Sequence, residues 1–132
     1  MATASQSVLI GDATAHVTLV SLSPDEPWGF ADVAFREPAF GLEGTISAIT
    51  LWPEPFVLAI EEMDRSLFGE AELETSGRCL KLRLKIDERG RVTADVGISS
   101  NKPFADLKYR FEMDQTYLAP IARDLRRAFL AH

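Results

Sequence analysis

Apolar residues recur at every second position through the C-terminal half of the chain. They run Leu80, Leu82, Leu84 and Ile86, then Val92, Ala94, Val96 and Ile98, then Leu107, Tyr109, Phe111 and Met113. The residues between them are polar, charged or small. This is the period-two signature of antiparallel strands with one buried and one wet face. Upstream, Ser7–Ile10 and Val17–Leu22 are short apolar segments separated by the turn signal Gly11-Asp12. Ser23-Pro24-Asp25-Glu26-Pro27 reads as a loop. Phe30–Phe35 and Phe40–Leu51 flank Arg36-Glu37-Pro38-Ala39 as a hairpin, whose register Pro38 leaves open.

Two segments change period. Pro53 and Pro55 suit the first turn of a helix, where missing amide donors cost little. Phe56, Ile60, Met63 and Leu67 then recur at helical spacing, with Glu61, Glu62, Asp64 and Arg65 on the other side and Gly69 as the stop. At the other end, the last strand leads into Asp114-Gln115-Thr116-Tyr117-Leu118. Asp114 or Thr116 is the expected N-cap, and Pro120, tolerable only near a first turn, favours Thr116. Gln115 or Tyr117 is expected to bond back to the sheet, a structural role. Leu118, Ile121, Ala122, Leu125 and Phe129 form the buried stripe of this helix, leaving Arg123, Arg126 and Arg127 wet.

The expected fold is therefore α+β: a mainly antiparallel sheet of about eight strands, bent or sandwich-like, with one helix mid-chain and one C-terminal. The 132 residues fit a single domain over residues 1–132, without internal repeats. Turn chemistry also predicts register. A two-residue turn at Ser76-Gly77 sets Leu73 opposite Leu80, Glu72 opposite Lys81 and Glu70 opposite Arg83. A three-residue loop, Glu88-Arg89-Gly90, keeps Ile86 in phase with Val92, with Gly90 supplying the left-handed position. Arg83 then faces Asp95. Pairing Ile98 with Leu107 across an eight-residue connection brings Asp95 to Arg110. The wet face would carry the alternating row Glu70, Arg83, Asp95, Arg110.

Charge refines this picture. The net charge of −6 is divided unevenly. Residues 1–77 hold thirteen acids and two bases; residues 78–132 hold seven acids and twelve bases. Cross-strand pairing neutralises much of the basic half, and outward aromatics suited to stacking on single strands are missing, so no nucleic-acid partner is expected. Asp25, Glu26, Glu37, Glu43, Glu54, Glu61, Glu62 and Asp64 have few local cations in the sequence. Together they suggest a negative surface that would steer a basic protein.

Catalytic chemistry finds little support. The two histidines are His16, on an early strand, and His132, so neither a triad nor a histidine-pair zinc site is expected. No phosphate-binding loop or dinucleotide fingerprint is present. The lone cysteine, Cys79, excludes an intramolecular disulfide framework and sits at an outward parity position. Glu61 and Asp64 lie three apart on one helix, where a solvated face explains them better than paired acid–base work. No cofactor, metal or catalytic residue is expected. No apolar run is long enough for a membrane span or signal peptide, so a cytoplasmic location is the default.

From about Trp28 to its C-terminus the chain resembles the small bacterial WapI-type immunity proteins. The resemblance is carried by Phe68-Gly69-Glu70-Ala71-Glu72-Leu73-Glu74, by Leu80 to Leu84, by Gly90-Arg91-Val92, and by Leu107 to Phe111 leading into Asp114-Gln115-Thr116-Tyr117-Leu118. It departs where Trp28 is followed by Gly29-Phe30 in place of a Trp pair, and where Arg91 replaces a His. The resemblance implies a cytosolic, non-enzymatic protein that binds and occludes a cognate toxin domain, often a nuclease. Within that expectation, Glu54, Glu61, Glu62 and Asp64 are the candidate contacts for a basic toxin. The alternative is a non-catalytic ligand-binding or accessory domain.

Overall fold

A computed structural model of the chain describes residues 7–12, 14–21, 29–76, 79–101 and 104–130. Its strands are β1 (Ser7–Gly11), β2 (His16–Ser21), β3 (Gly29–Glu37), β4 (Leu42–Trp52), β5 (Glu70–Thr75), β6 (Leu80–Ile86), β7 (Arg91–Asn101) and β8 (Phe104–Asp114). Helix α1 (Pro53–Ser66) follows β4. After β8 come a 3-10 turn (Gln115–Tyr117), helix α2 (Leu118–Leu125) and a closing π turn (Arg126–Leu130). The order is thus four strands and a helix, twice over, although no sequence repeat announces it. Strands pair antiparallel with their sequence neighbours from β1 to β8. The fold is α+β, as the pattern of apolar positions predicts.

Each sheet half has one apolar face, and neither can bury it alone. Val8, Ile10, Val17, Leu19, Ala31 and Val33 from the first half join Leu82, Leu84, Val92, Ala94 and Phe111 from the second in one core cluster. Phe56, Val57, Ile60 and Met63 of α1 complete it, together with Leu118, Ile121, Leu125 and Phe129 from the C-terminal segment. The two helices pack on each other, α1 also on β5 and α2 on β1. Tyr109 crosses from β8 to β2, donating its hydroxyl to the His16 carbonyl at 2.9 Å. Burial pushes its pKa up to about 12.

The inner parity predicted for β6, β7 and β8 is observed, and the β6–β7–β8 register holds residue for residue: Ile86 faces Val92, Arg83 faces Asp95, and Asp95 faces Arg110. The β5–β6 register is corrected by two residues. Glu72 faces Arg83, not Lys81; Leu73 faces Leu82, not Leu80; and Glu70 faces Lys85. The connection is longer than a two-residue turn because Thr75 closes it from the side, its hydroxyl donating to the Leu80 carbonyl at 2.7 Å. Gly77, in the predicted turn, lies outside the described residues. An even shift keeps every side chain on its face, so Glu70 still ion-pairs with Arg83, diagonally, at 2.5 Å. β7 and β8 run on to pair Asn101 with Phe104, shrinking the expected eight-residue connection to residues 102–103, which are not described. Cys79 precedes β6 and packs half-buried against the core, not outward.

Helix α1 stops sooner than its apolar spacing implies. Leu67 leaves the buried stripe, adopts a left-handed φ of 58° as C-cap, and is half exposed. Its amide still bonds the Met63 carbonyl at 2.8 Å, closing the last turn. In the β6–β7 turn, Gly90 has the predicted positive φ, +80°. A Cβ there would also stand 2.6 Å from Gln115 Oε1, so the turn and the strand–helix junction need the same bare backbone. Gln115 lies over that turn, and among the described residues neither it nor Tyr117 makes the expected hydrogen bond to the sheet.

Asp114, not Thr116, caps the C-terminal segment, its carboxylate accepting the Thr116 amide at 2.9 Å. The 3-10 turn that follows moves Pro120 into the first turn of α2, which reconciles the two signals read from the sequence. Hydrogen bonding to Thr116 holds the Asp114 carboxyl below its ordinary pKa. A depressed folded-state pKa contributes stability above the unfolded value, and that contribution is lost as pH falls through the folded value. Thermal melts should show Asp114→Ala less stable than the parent at neutral pH and Thr116→Ala less affected. The gap between parent and Asp114→Ala should close as pH falls through the acid range.

Candidate functional site

Pro53 opens α1 without a side-chain cap, and Phe56, Val57, Ile60 and Met63 fix which way the helix faces. At about 100° per residue, Glu54, Leu58, Glu61, Glu62 and Arg65 then fall on one outward stripe. Leu58 is 51% exposed at its centre, and Trp52, where β4 meets the helix, is 43% exposed. The stripe is an apolar knob rimmed by carboxylates. Asp64 is exposed but falls well round the helix from it. The sequence-based list of candidates missed Leu58 and Trp52. Leu58 was detectable, because helical spacing puts it opposite Ile60 and Met63.

Local partners change the expected charge of this surface. Glu61 is bound bidentately by Arg126 of the C-terminal turn, with Nε and Nη2 donating at 2.6 and 2.7 Å. That hydrogen bond lowers the Glu61 pKa and raises that of Arg126. Glu62 pairs with Arg65 one turn along. The cations were in the sequence, but Arg126 is brought in only by the packing of α1 against the C-terminal segment. Glu54 and Asp64 form no ion pair with any described residue.

Other acids leave the proposed surface altogether. Glu37 is buried and accepts the Ala39 and Phe40 amides at 2.6 and 3.0 Å, capping the β3–β4 turn around Pro38. Glu43 faces Arg36 across that hairpin. Asp25 and Glu26 lie outside the described residues. On the wet face of β5–β8 the alternating row exists with Glu72 in the place expected for Glu70, and Arg110 donates to Asp95 at 2.6 Å.

His16 is held by the turn that precedes β2. Its Nδ1 lies 2.9 Å from the Asp12 carbonyl. The Asp12 carboxylate accepts from the Thr14 hydroxyl and from the Thr14 and Ala15 amides, which lowers its pKa. Among the described residues no cluster of three metal-ligating side chains occurs, and no helix is long and apolar enough to cross a membrane. The site can offer shape, charge and apolar contact, the means of binding a protein surface.

The family model for the immunity protein WapI-like family matches residues 23–131. The chain belongs to the WapI-like immunity protein family. That span holds β3 to β8 and both helices, so the outward stripe of α1 and its clamp to the C-terminal turn lie within the family region. No curated protein matches the chain. Among solved structures, the MRP1/MRP2 crystal structures from Trypanosoma bruciei are similar, with a TM-score of 0.52 and 13% identity over 94% of this chain and 82% of that one. At that identity the likeness shows a shared fold alone.

The Glu61–Arg126 clamp is directly testable. Glu61→Gln and Arg126→Gln should each lower the melting temperature, and the double variant should be no worse than either single one. Exchanging the charges, with Glu61→Arg and Arg126→Glu together, should recover part of the loss. Additive losses across this cycle would show the pair to be energetically uncoupled.

Proposed function

We propose that this WapI-like protein binds and neutralises a cognate toxin domain of basic, nuclease type in the cytoplasm, and does so by occlusion, without chemistry of its own. Membership of an immunity-protein family is the observation that carries this reading. The net charge of −6, concentrated as an acidic excess in residues 1–77, supports a basic partner. Electrostatic complementarity of that kind raises association rates and favours the intended partner.

The proposed contact is the outward face of α1. Leu58 and Trp52 supply the apolar anchors that carry most of an interface's energy, with Glu54, Glu61 and Glu62 at the rim and Asp64 farther round the helix. Glu61 meets the toxin already oriented by Arg126, so its geometry is fixed before binding. Carboxylates on a rigid helix suit the occlusion of a cationic nucleic-acid-binding cleft, where they stand in for phosphates.

The test uses candidate toxin domains of basic, nuclease type from the genes that flank this chain's own, their activity measured with and without the full-length protein. Neutralisation at equimolar ratio is expected. Leu58→Asp should weaken the complex by about tenfold or more, while Glu54→Lys and Glu62→Lys should slow association and flatten its salt dependence. Neutralisation unaffected by all three would move the interface off α1. Absence of any complex or protection would overturn the immunity role and favour an accessory domain.

A further inference from the structure

β4 is paired along only part of its second edge. β3 covers one side from Leu42 to Leu51, whereas β5 meets the other side only at Leu51 and Trp52. From Leu42 to Thr50 that second edge has no described strand beside it. A register shift between Ala31 and Val33 places an extra residue in β4, so Ile46 and Ile49, three apart, can both face inward. The apolar inner face therefore continues past the core along a projecting β3–β4 arm, through Ile46 and Phe35.

Opposite this arm stands the far end of the β7–β8 hairpin, and between them lies an open cleft of about 670 Å³. Phe35, Ile46, Cys79, Ile98 and Leu107 supply its apolar lining. Its charged lining residues, among those described, are Glu43 and Asp106, both acidic. At the tip of the arm Phe40 is 84% exposed and Leu42 45% exposed. An open apolar strand edge invites pairing with another chain, and proteins ordinarily blunt such edges with charge, proline or cover. Here nothing described covers it.

We propose that this edge receives an extended, basic segment of the partner protein, which adds as a strand beside β4 and sets alternate side chains into the cleft. Strand addition answers both features together: main-chain bonds satisfy the bare β4 edge, and every second side chain reaches the apolar lining. Charge selects the occupant. A second copy of this chain, with its net charge of −6, would bring more acid to an acidic cleft, whereas lysines or arginines flanking the inserted strand would meet Glu43 and Asp106. The proposal deepens the toxin-binding reading and rests on it for the identity of the partner, adding a second contact to that of α1.

A titration of the full-length protein with an acetylated octapeptide of alternating Lys and Val, followed by amide NMR, tests the site without the toxin. The expected result is shifts confined to β4 between Leu42 and Thr50 and to Cys79, Ile98 and Leu107. Binding should weaken about tenfold or more when Ile46→Lys places a charge in the cleft. Leu42→Lys, at an exposed position of the same edge, should weaken it too and leaves no doubt about folding. The corresponding Glu–Val peptide should not bind. Absence of shifts along β4, equal binding of the acidic peptide, or affinity untouched by both substitutions would overturn the proposal. A protein that neutralises its toxin yet ignores the peptide keeps its function and loses this site. A protein that binds the peptide at β4 without neutralising the toxin keeps the site and loses the immunity role.

Discussion

β4 and β5 share two residue pairs, Leu51 with Thr75 and Trp52 with Glu74, and much of the molecule follows from how narrow that seam is. Every other neighbouring pair of strands is joined along at least four positions. Two pairs cannot hold two four-strand halves in a fixed relation by hydrogen bonding, because each bond contributes only about 1 kcal/mol net. What holds them is shared burial: Val33 and Leu51 belong to the same core cluster as Leu82 and Phe111, with α1 and the C-terminal segment contributing to it. The seam also explains the free length of β4. Once β5 ends at Thr75, opposite Leu51, the sheet halves diverge, the β3–β4 arm projects, and a cleft opens between them.

The same helix packing governs charge. Sequence alone presents the first 77 residues as a broad acidic field. Folding consumes part of it: Glu37 turns inward to cap a hairpin, Glu61 clamps the C-terminal turn through Arg126, and Glu62 pairs along its own helix. What survives on α1 is narrower and more specific, a stripe of oriented carboxylates around the exposed Leu58. Under the proposed function such a surface favours one partner over many, because Glu61 and Glu62 are held in place before contact and the apolar centre rewards a fitted partner.

The strands of the second half were legible because their alternation is strict and their turns are short. Parity survived even where register did not. The error at β5–β6 arose because a side-chain bond from Thr75 to Leu80 lengthens a connection that looks like a tight turn. The true length of β7 and β8 was hidden by Ser99, Ser100 and Asp106, which have weak strand preference yet pair fully; Ser99 and Asp106 bond each other across the hairpin at 2.7 Å. Leu67 misled because a leucine in the left-handed region is rare and unfavourable by about 1–2 kcal/mol. For the candidate site, the acids of α1 were visible but their partners were not, since Arg126 lies 65 positions away from Glu61. The cleft beside β4 was invisible, because it depends on where β5 leaves the sheet and on a bulge that no local signal marks.

Shared burial across a narrow seam requires that the two halves unfold together. Differential scanning calorimetry of the full chain measures this most directly, by comparing the calorimetric enthalpy with the van't Hoff enthalpy. A single transition with the two enthalpies equal is predicted, since neither half retains a buried face once the other is lost. Two resolved transitions, or a calorimetric enthalpy well above the van't Hoff value, would mean that each half is stable by itself and that the common core does not bind them.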